Sequence, residues 1–159
     1  MTSPPASHDL DRFDRDILAI LQQDNMTTQR RIGEAIGLSA PAVQRRIRRM
    51  EASGFIVANM AVVNPDLVGR PLTIFVEVEV ESERTDRIDG MKRRFADAPE
   101  VQQCYYVTGD ADFVLVVTVS SMGEYEALTR RLFFADDNVR RFKTFITMDR
   151  VKTGLAVPV

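Results

Sequence analysis

The 159-residue sequence predicts an α+β protein of two domains, an N-terminal helix-turn-helix (winged-helix-like) followed by a C-terminal ferredoxin-like βαββαβ domain. Three observations carry that expectation. The hydrophobic period is helical up to about residue 53, and beyond about residue 70 strands alternate with helices. The charge balance shifts at the same place: residues 1–60 hold eight Arg against seven acids, whereas residues 61–159 are net acidic. Between positions 30 and 50, Arg30, Arg31, Arg45, Arg46, Arg48 and Arg49 face only Glu34. The expected boundaries are a disordered tail over 1–9, a helix-turn-helix over 10–57, a linker over 58–70 with Asn64-Pro65 as a turn, and the ferredoxin-like domain over 71–154.

The first helix opens at Asp11, with Asp14 three residues on in the manner of a capping box, and closes near Asn25. Phe13, Ile17, Ile20 and Leu21 form its buried stripe. Thr28 caps a second helix that turns Ile32 and Ile36 inward and ends at Gly37, a residue able to take the left-handed conformation. Ser39 caps a third, in which Pro41 sits where a missing N–H costs little; Val43, Ile47 and Met50 face inward and Gly54 ends it.

In the second half, Ile74, Val76, Val78 and Val80 alternate with Phe75, Glu77, Glu79 and Glu81, the pattern of a strand with one buried face. Ile88, Met91 and Phe95 mark a helix. Val101 to Thr108 and Phe113 to Val119 are strands joined by the turn Gly109-Asp110-Ala111-Asp112. The second is apolar on both sides, as a central strand is. Tyr125, Leu128 and Leu132 mark another helix, and Val139 to Met148 the last strand. Helices then cover one sheet face. Phe75, with Tyr105 or Tyr106 according to register, points to a second subunit over the other, hence an obligate dimer.

Composition narrows the function. A net charge of −2 excludes a global positive field, so any attraction for nucleic acid is local. One cysteine, Cys104, and one histidine, His8, exclude a disulfide framework and a His/Cys zinc site within one chain. They also leave no nucleophile-histidine pair, so no metal, cofactor or catalytic residue is expected. Residues 1–9 lack the basic and apolar regions of a signal peptide, and Phe113 to Val119 is too short to span a bilayer; no membrane partner and a cytoplasmic location are expected. Cys104 reads as mid-strand packing.

The unit Thr28 to Ser53 has the parts a DNA-reading helix-turn-helix requires: two short helices, a tight turn at Gly37-Leu38-Ser39, and a second helix with a basic outer face. At 100° per residue, Pro41, Arg45, Arg48 and Ala52 lie opposite the inward stripe, flanked by Gln44 and Arg49. Gln44, Arg45 and Arg48 are expected at base edges, where Arg forks onto guanine and Gln onto adenine. Arg30, Arg31, Arg46 and Arg49 are expected near phosphates of double-stranded DNA. The Thr28 and Ser39 hydroxyls and the helix start at Ala40-Pro41 would assist them. A bare run of arginines is more often a solvated face. Here the acids that would pair with them along the helix are largely missing, only Glu51 being close.

Leu10-Asp11-Arg12-Phe13-Asp14-Arg15-Asp16-Ile17-Leu18, Ile36-Gly37-Leu38-Ser39 and Val43-Gln44-Arg45-Arg46-Ile47-Arg48-Arg49-Met50-Glu51 are followed by Gly54-Phe55-Ile56. Further on come Asn64-Pro65, Val101-Gln102-Gln103-Cys104 and Thr108-Gly109-Asp110-Ala111-Asp112-Phe113. In this order and spacing the chain resembles the Lrp/AsnC (leucine-responsive, or feast/famine) transcriptional regulators from Leu10 to Thr153. The resemblance implies a bacterial or archaeal transcription factor whose C-terminal domain dimerises, often assembles as an octamer of four dimers, and often binds a free amino acid. It also gives Thr108-Gly109-Asp110, by itself a plain hairpin turn, the role of lining an effector pocket between dimers. Backbone N–H groups around Gly109 would hold the α-carboxylate and Asp110 or Asp112 the α-ammonium, with Tyr106, Val107 and Met122 at the wall. Two departures stand out: Phe133-Phe134-Ala135-Asp136-Asp137-Asn138 replaces a Pro-Gly-type turn, and Arg31 sits in the first turn of its helix where an acid would suit the dipole.

The expected function is therefore that of a sequence-specific DNA-binding regulator responsive to a free amino acid. The alternative is a small-molecule-binding module that acts by protein contact. An enzyme would need a catalytic constellation, and the sequence offers only scattered carboxylates.

Overall fold

The computed structural model describes residues 10–159; the expected disordered tail and His8 lie outside them. The described chain divides into two compact units, one ending at Ala61 and taking in Lys152–Val159, the other spanning Val62–Val151.

The first unit is built on three helices. Helix α1 (Arg12–Gln23) starts at Asp11, whose carboxylate accepts the Asp14 N–H while the Asp14 carboxylate accepts the Asp11 N–H, a complete capping box. It closes at Asp24, one residue before Asn25. Helix α2 (Gln29–Ile36) is capped by Thr28 and stopped by Gly37 at φ 77°. Helix α3 (Ala40–Ala52) is capped by Ser39, with proline in its first turn. Ile17, Leu18, Ile32, Val43 and Met50 are the buried centre, and Phe13, Ile20, Leu21, Ile36 and Ile47 are only half-buried around it. No strand lies between α3 and residue 72, so the helix-turn-helix unit consists of three helices without the hairpin of a wing. The C-terminal segment belongs here because the Gln22 amide binds both backbone groups of Val157, at 2.8 and 2.9 Å; the ferredoxin-like unit thus stops at Val151, short of 154.

The second unit runs β1 (Leu72–Val80), α4 (Thr85–Asp97), β2 (Val101–Tyr106), β3 (Phe113–Val119), α5 (Met122–Thr129) and β4 (Val139–Ile146). The antiparallel sheet has the order β2-β3-β1-β4, the ferredoxin-like arrangement. Its core unites Ile74, Val76 and Val78 with Phe113, Leu115 and Val117 beneath Ile88, Met91, Phe95, Leu128 and Phe133. Helix α5 continues as a π-turn over Arg130–Phe134, which buries Leu132 and Phe133 and leaves Phe134 exposed. Here the unusual Phe133–Asn138 segment has a structural purpose. Asn138 is buried, its amide exchanging hydrogen bonds with the Ser82 backbone, and Asp136 pairs with Arg94 at 2.7 Å. Cys104 is half-buried against the core, and burial raises its thiol pKa.

Among the described residues no helix lies on the outer sheet face. A bulge between Val101 and Gln103 shifts the parity of β2, so Tyr105 stands outward beside Val114 while Tyr106 turns in against Phe113. Phe75, Val116, Tyr105 and Phe145 make this face apolar, flanked by the cross-strand pairs Glu79–Arg141 and Glu77–Lys143. No helix among the described residues is long and apolar enough to cross a membrane.

Candidate nucleic-acid interface and effector turn

The N-terminal unit places α3 with Val43 and Met50 buried and Pro41, Arg45 and Arg48 exposed on the opposite side. Gln44 is half-buried at the flank. No ion pair among the described residues involves Arg31, Arg45 or Arg48. Arg30 stands 3.8 Å from Glu34 in an open pair that water and salt weaken. Thr28 and Ser39 each accept a backbone N–H, from Arg31 and Ala42, and neither hydroxyl donates to an acceptor among the described residues. Ser39 and Pro41 are exposed and Ala40 half-buried at the start of α3.

Arg46 departs from the expected phosphate role. Its Nη1 donates to Asp11 at 2.7 Å and to Asp14 at 2.8 Å, and its guanidinium lies 5.4 Å from the centre of the Phe13 ring. Arg49 donates to the other oxygen of Asp14 and is otherwise half exposed. The acids missing along α3 are thus supplied by α1. The Asp14 N–H, followed by Arg46, holds the Asp11 carboxyl below its ordinary range, and Arg46 is held correspondingly more firmly protonated by Asp11 and then Asp14. The sequence carried a signal for this: Asp14 precedes Ile17 and Leu18 by three and four residues, which puts an acid on the buried stripe, and a buried acid requires a partner.

Gly33 is a second residue that the periodicity did not single out. It is buried in α2, and a Cβ placed on it would strike the Leu38 carbonyl oxygen. The Leu38 N–H donates to the Gly33 carbonyl at 2.9 Å across the left-handed Gly37, so the turn into α3 lies directly on α2. A glycine inside a helix costs about 1 kcal/mol, and here its reason is close approach.

The β2–β3 turn exposes Thr108, Gly109 and Asp110, with Gly109 at φ 131°, a backbone region closed to other residues. Their N–H groups donate to no acceptor among the described residues. Asp112 is engaged elsewhere. Its carboxylate accepts the Val80 N–H at 2.7 Å, and its backbone joins Val107 to Val78. That ties it to the end of β1 through one of its two carboxylate oxygens. Val107 is half-buried; Tyr106 packs on Phe113 with Lys92 Nζ 4.7 Å from the ring centre. Met122 begins α5, after β3 has run its full seven residues away from the turn, a distance of about 20 Å. One protomer therefore does not bring Met122 to Thr108–Asp110.

Two profiles match the chain: the AsnC-type helix-turn-helix domain over residues 10–51 and the Lrp/AsnC ligand binding domain over residues 73–157. The chain belongs to the Lrp/AsnC family. It is 44% identical over 151 residues to an uncharacterized HTH-type transcriptional regulator of Sinorhizobium fredii, covering 95% of this chain and 89% of that protein. To the leucine-responsive regulatory protein of Escherichia coli K12 it is 32% identical over 144 residues, 91% of this chain and 88% of that one. The crystal structure of an AsnC family transcriptional regulator from Agrobacterium tumefaciens superposes with a TM-score of 0.86 at 30% identity, covering 93% and 96% of the two chains. A Neisseria meningitidis transcriptional regulator in complex with L-Met shares the fold, with a TM-score of 0.87 at 23% identity over 94% and 97%. This Lrp/AsnC chain is thus a helix-turn-helix transcriptional regulator.

Proposed function

We propose that this Lrp/AsnC protein binds a pseudo-palindromic DNA site as a homodimer, lays α3 of each protomer in a major groove, and responds to a free amino acid at the turn Thr108–Asp110. Gln44, Arg45 and Arg48 read base edges. Arg30, Arg31, the outer part of Arg49 and the Thr28 and Ser39–Pro41 helix starts contact phosphates. Arg46 is left out of the DNA contacts. The observation that carries this reading is the division of labour on α3, where Arg45 and Arg48 are exposed with no carboxylate partner among the described residues while Arg46 is tied to α1.

The dimer rests on the sheet face on which Phe75, Tyr105 and Phe145 stand half exposed. The effector reading rests on the unengaged N–H groups around Gly109 beside Asp110, a cradle for a carboxylate with an acid nearby for an ammonium. L-Met in a regulator of the same fold supports an amino acid as the class of ligand.

Fluorescence anisotropy at fixed salt on a duplex from the gene's own upstream region tests the DNA reading. Arg45→Ala is expected to lose about 1–3 kcal/mol for the cognate site, and unchanged affinity sinks the base-reading assignment. A thermal-shift panel of the twenty amino acids tests the effector. A ligand at a hundred times its Kd adds about 2.7 kcal/mol, a stabilisation expected to vanish in Asp110→Ala. A response that persists in that variant removes the turn from the site.

A further inference from the structure

Four arginines crowd five positions of α3, and they are not equivalent. Asp14 is 1% exposed and spends one carboxylate oxygen on Arg46 and the other on Arg49. Asp11 adds a second carboxylate to Arg46 at 2.7 Å, and the Arg46 side chain is only 24% exposed. Arg45 and Arg48 on the same helix have no such partner among the described residues. A guanidinium released from such a clamp would sit on a helix already facing DNA, and its natural new partner is a phosphate. Phosphate contacts carry no sequence information and make binding to any duplex tighter and more salt-dependent.

We infer that Asp11 and Asp14 are positioning residues for DNA recognition: they withhold Arg46 and one face of Arg49 from phosphate, which keeps affinity for non-cognate DNA low and leaves discrimination to Gln44, Arg45 and Arg48. This rests on the DNA-binding reading above. A cognate complex holds α3 in one pose, with Arg46 pointing along the surface of the unit. Non-cognate complexes sample many poses, so a freed, flexible Arg46 strengthens them more and the ratio of cognate to random binding falls.

The test is salt-dependent anisotropy on a random-sequence duplex and on the upstream duplex. Asparagine at both acids keeps the cap hydrogen bonds available while removing the charge. The double variant Asp11→Asn, Asp14→Asn is expected to bind random duplex tighter, with a log K against log salt slope steeper by about 1.8 for each arginine freed per protomer, two such contacts being gained by the dimer. Arg46→Gln in the wild-type background is expected to leave the slope unchanged, and Arg31→Gln, which removes one contact from each protomer, to flatten it by about 1.8.

A folded double variant with the wild-type slope overturns the inference. So does an Arg46→Gln variant whose slope flattens as much as that of Arg31→Gln, because Arg46 would then already be on phosphate. The Arg46→Gln arm decides the matter if the double variant does not fold. Wild-type protein that binds neither duplex fails the DNA reading itself, whereas binding with the wrong slopes fails this inference alone.

Discussion

Phe75 of β1 and Phe145 of β4 stand directly opposite each other on the sheet face that no helix among the described residues covers, 43% and 49% exposed. Cross-strand aromatic pairs stabilise a sheet, but two half-exposed rings beside Val116 and Tyr105 leave apolar surface in water. Phe75→Asp is expected to place a carboxylate at the centre of the dimer contact and weaken association more than tenfold, read by sedimentation equilibrium. A variant that dimerises as the wild type does would move the interface elsewhere.

Gly33 and Leu38 give a second prediction. In Gly33→Ala the new methyl meets backbone, which yields less readily than a side chain. Overpacking costs about 1–3 kcal/mol and outweighs the roughly 1 kcal/mol that alanine gains in a helix. A net loss of up to about 2 kcal/mol is expected in thermal denaturation, with weaker binding of the upstream duplex because α3 must shift from α2. A more stable variant would show that the turn has room.

Asp112 and Asp110, two residues apart, should separate stability from response. Asp112→Ala removes the acceptor of the Val80 N–H and is expected to cost about 1–3 kcal/mol in urea unfolding. Asp110→Ala touches an exposed residue and is expected to stay within about 0.5 kcal/mol. Equal losses in both variants would contradict the assignment of the anchor to Asp112.

Glu124, in the first turn of α5, accepts the Ser120 hydroxyl at 2.6 Å and the Ser120 N–H at 2.7 Å, and pairs with Arg70 at 2.9 Å. These contacts, the Ser120 hydroxyl first, hold its carboxyl at about 2 in place of 4.5. A depressed carboxyl contributes stability that is complete above its unfolded value and is lost as pH falls. The second unit should therefore lose stability as pH drops from 4.5 toward about 2, and Glu124→Gln should flatten that part of the curve. Denaturant titrations across this range check it; an identical acid profile in the variant would leave Glu124 without a part in acid stability.

The caps at Asp11, Thr28 and Ser39, the stop at Gly37 and the βαββαβ order were legible in the sequence, because each depends on residues a few positions apart or on a simple period. The outward face of α3 was legible for the same reason. The clamp on Arg46 was not, since Asp14 and Arg46 are separated by 32 residues and meet only when α1 packs on α3. Which tyrosine faces outward was not legible either. A single bulged residue in β2 reverses the parity of everything after it, and no local pattern announces the bulge. Asp112 read as a turn acid until the fold brought Val80 beside it.

The sequence by itself determined the two-unit organisation, the family resemblance and the basic face of the recognition helix, because local propensity and hydrophobic period act over a few residues. Only the tertiary structure decided which arginines on that face are held back, which side of the sheet Tyr105 takes, and that Met122 starts a helix at the far end of β3 from Thr108–Asp110. Those are matters of long-range packing and register, in which a carboxylate, a backbone N–H or one extra residue acts on a neighbour that the chain order places far away.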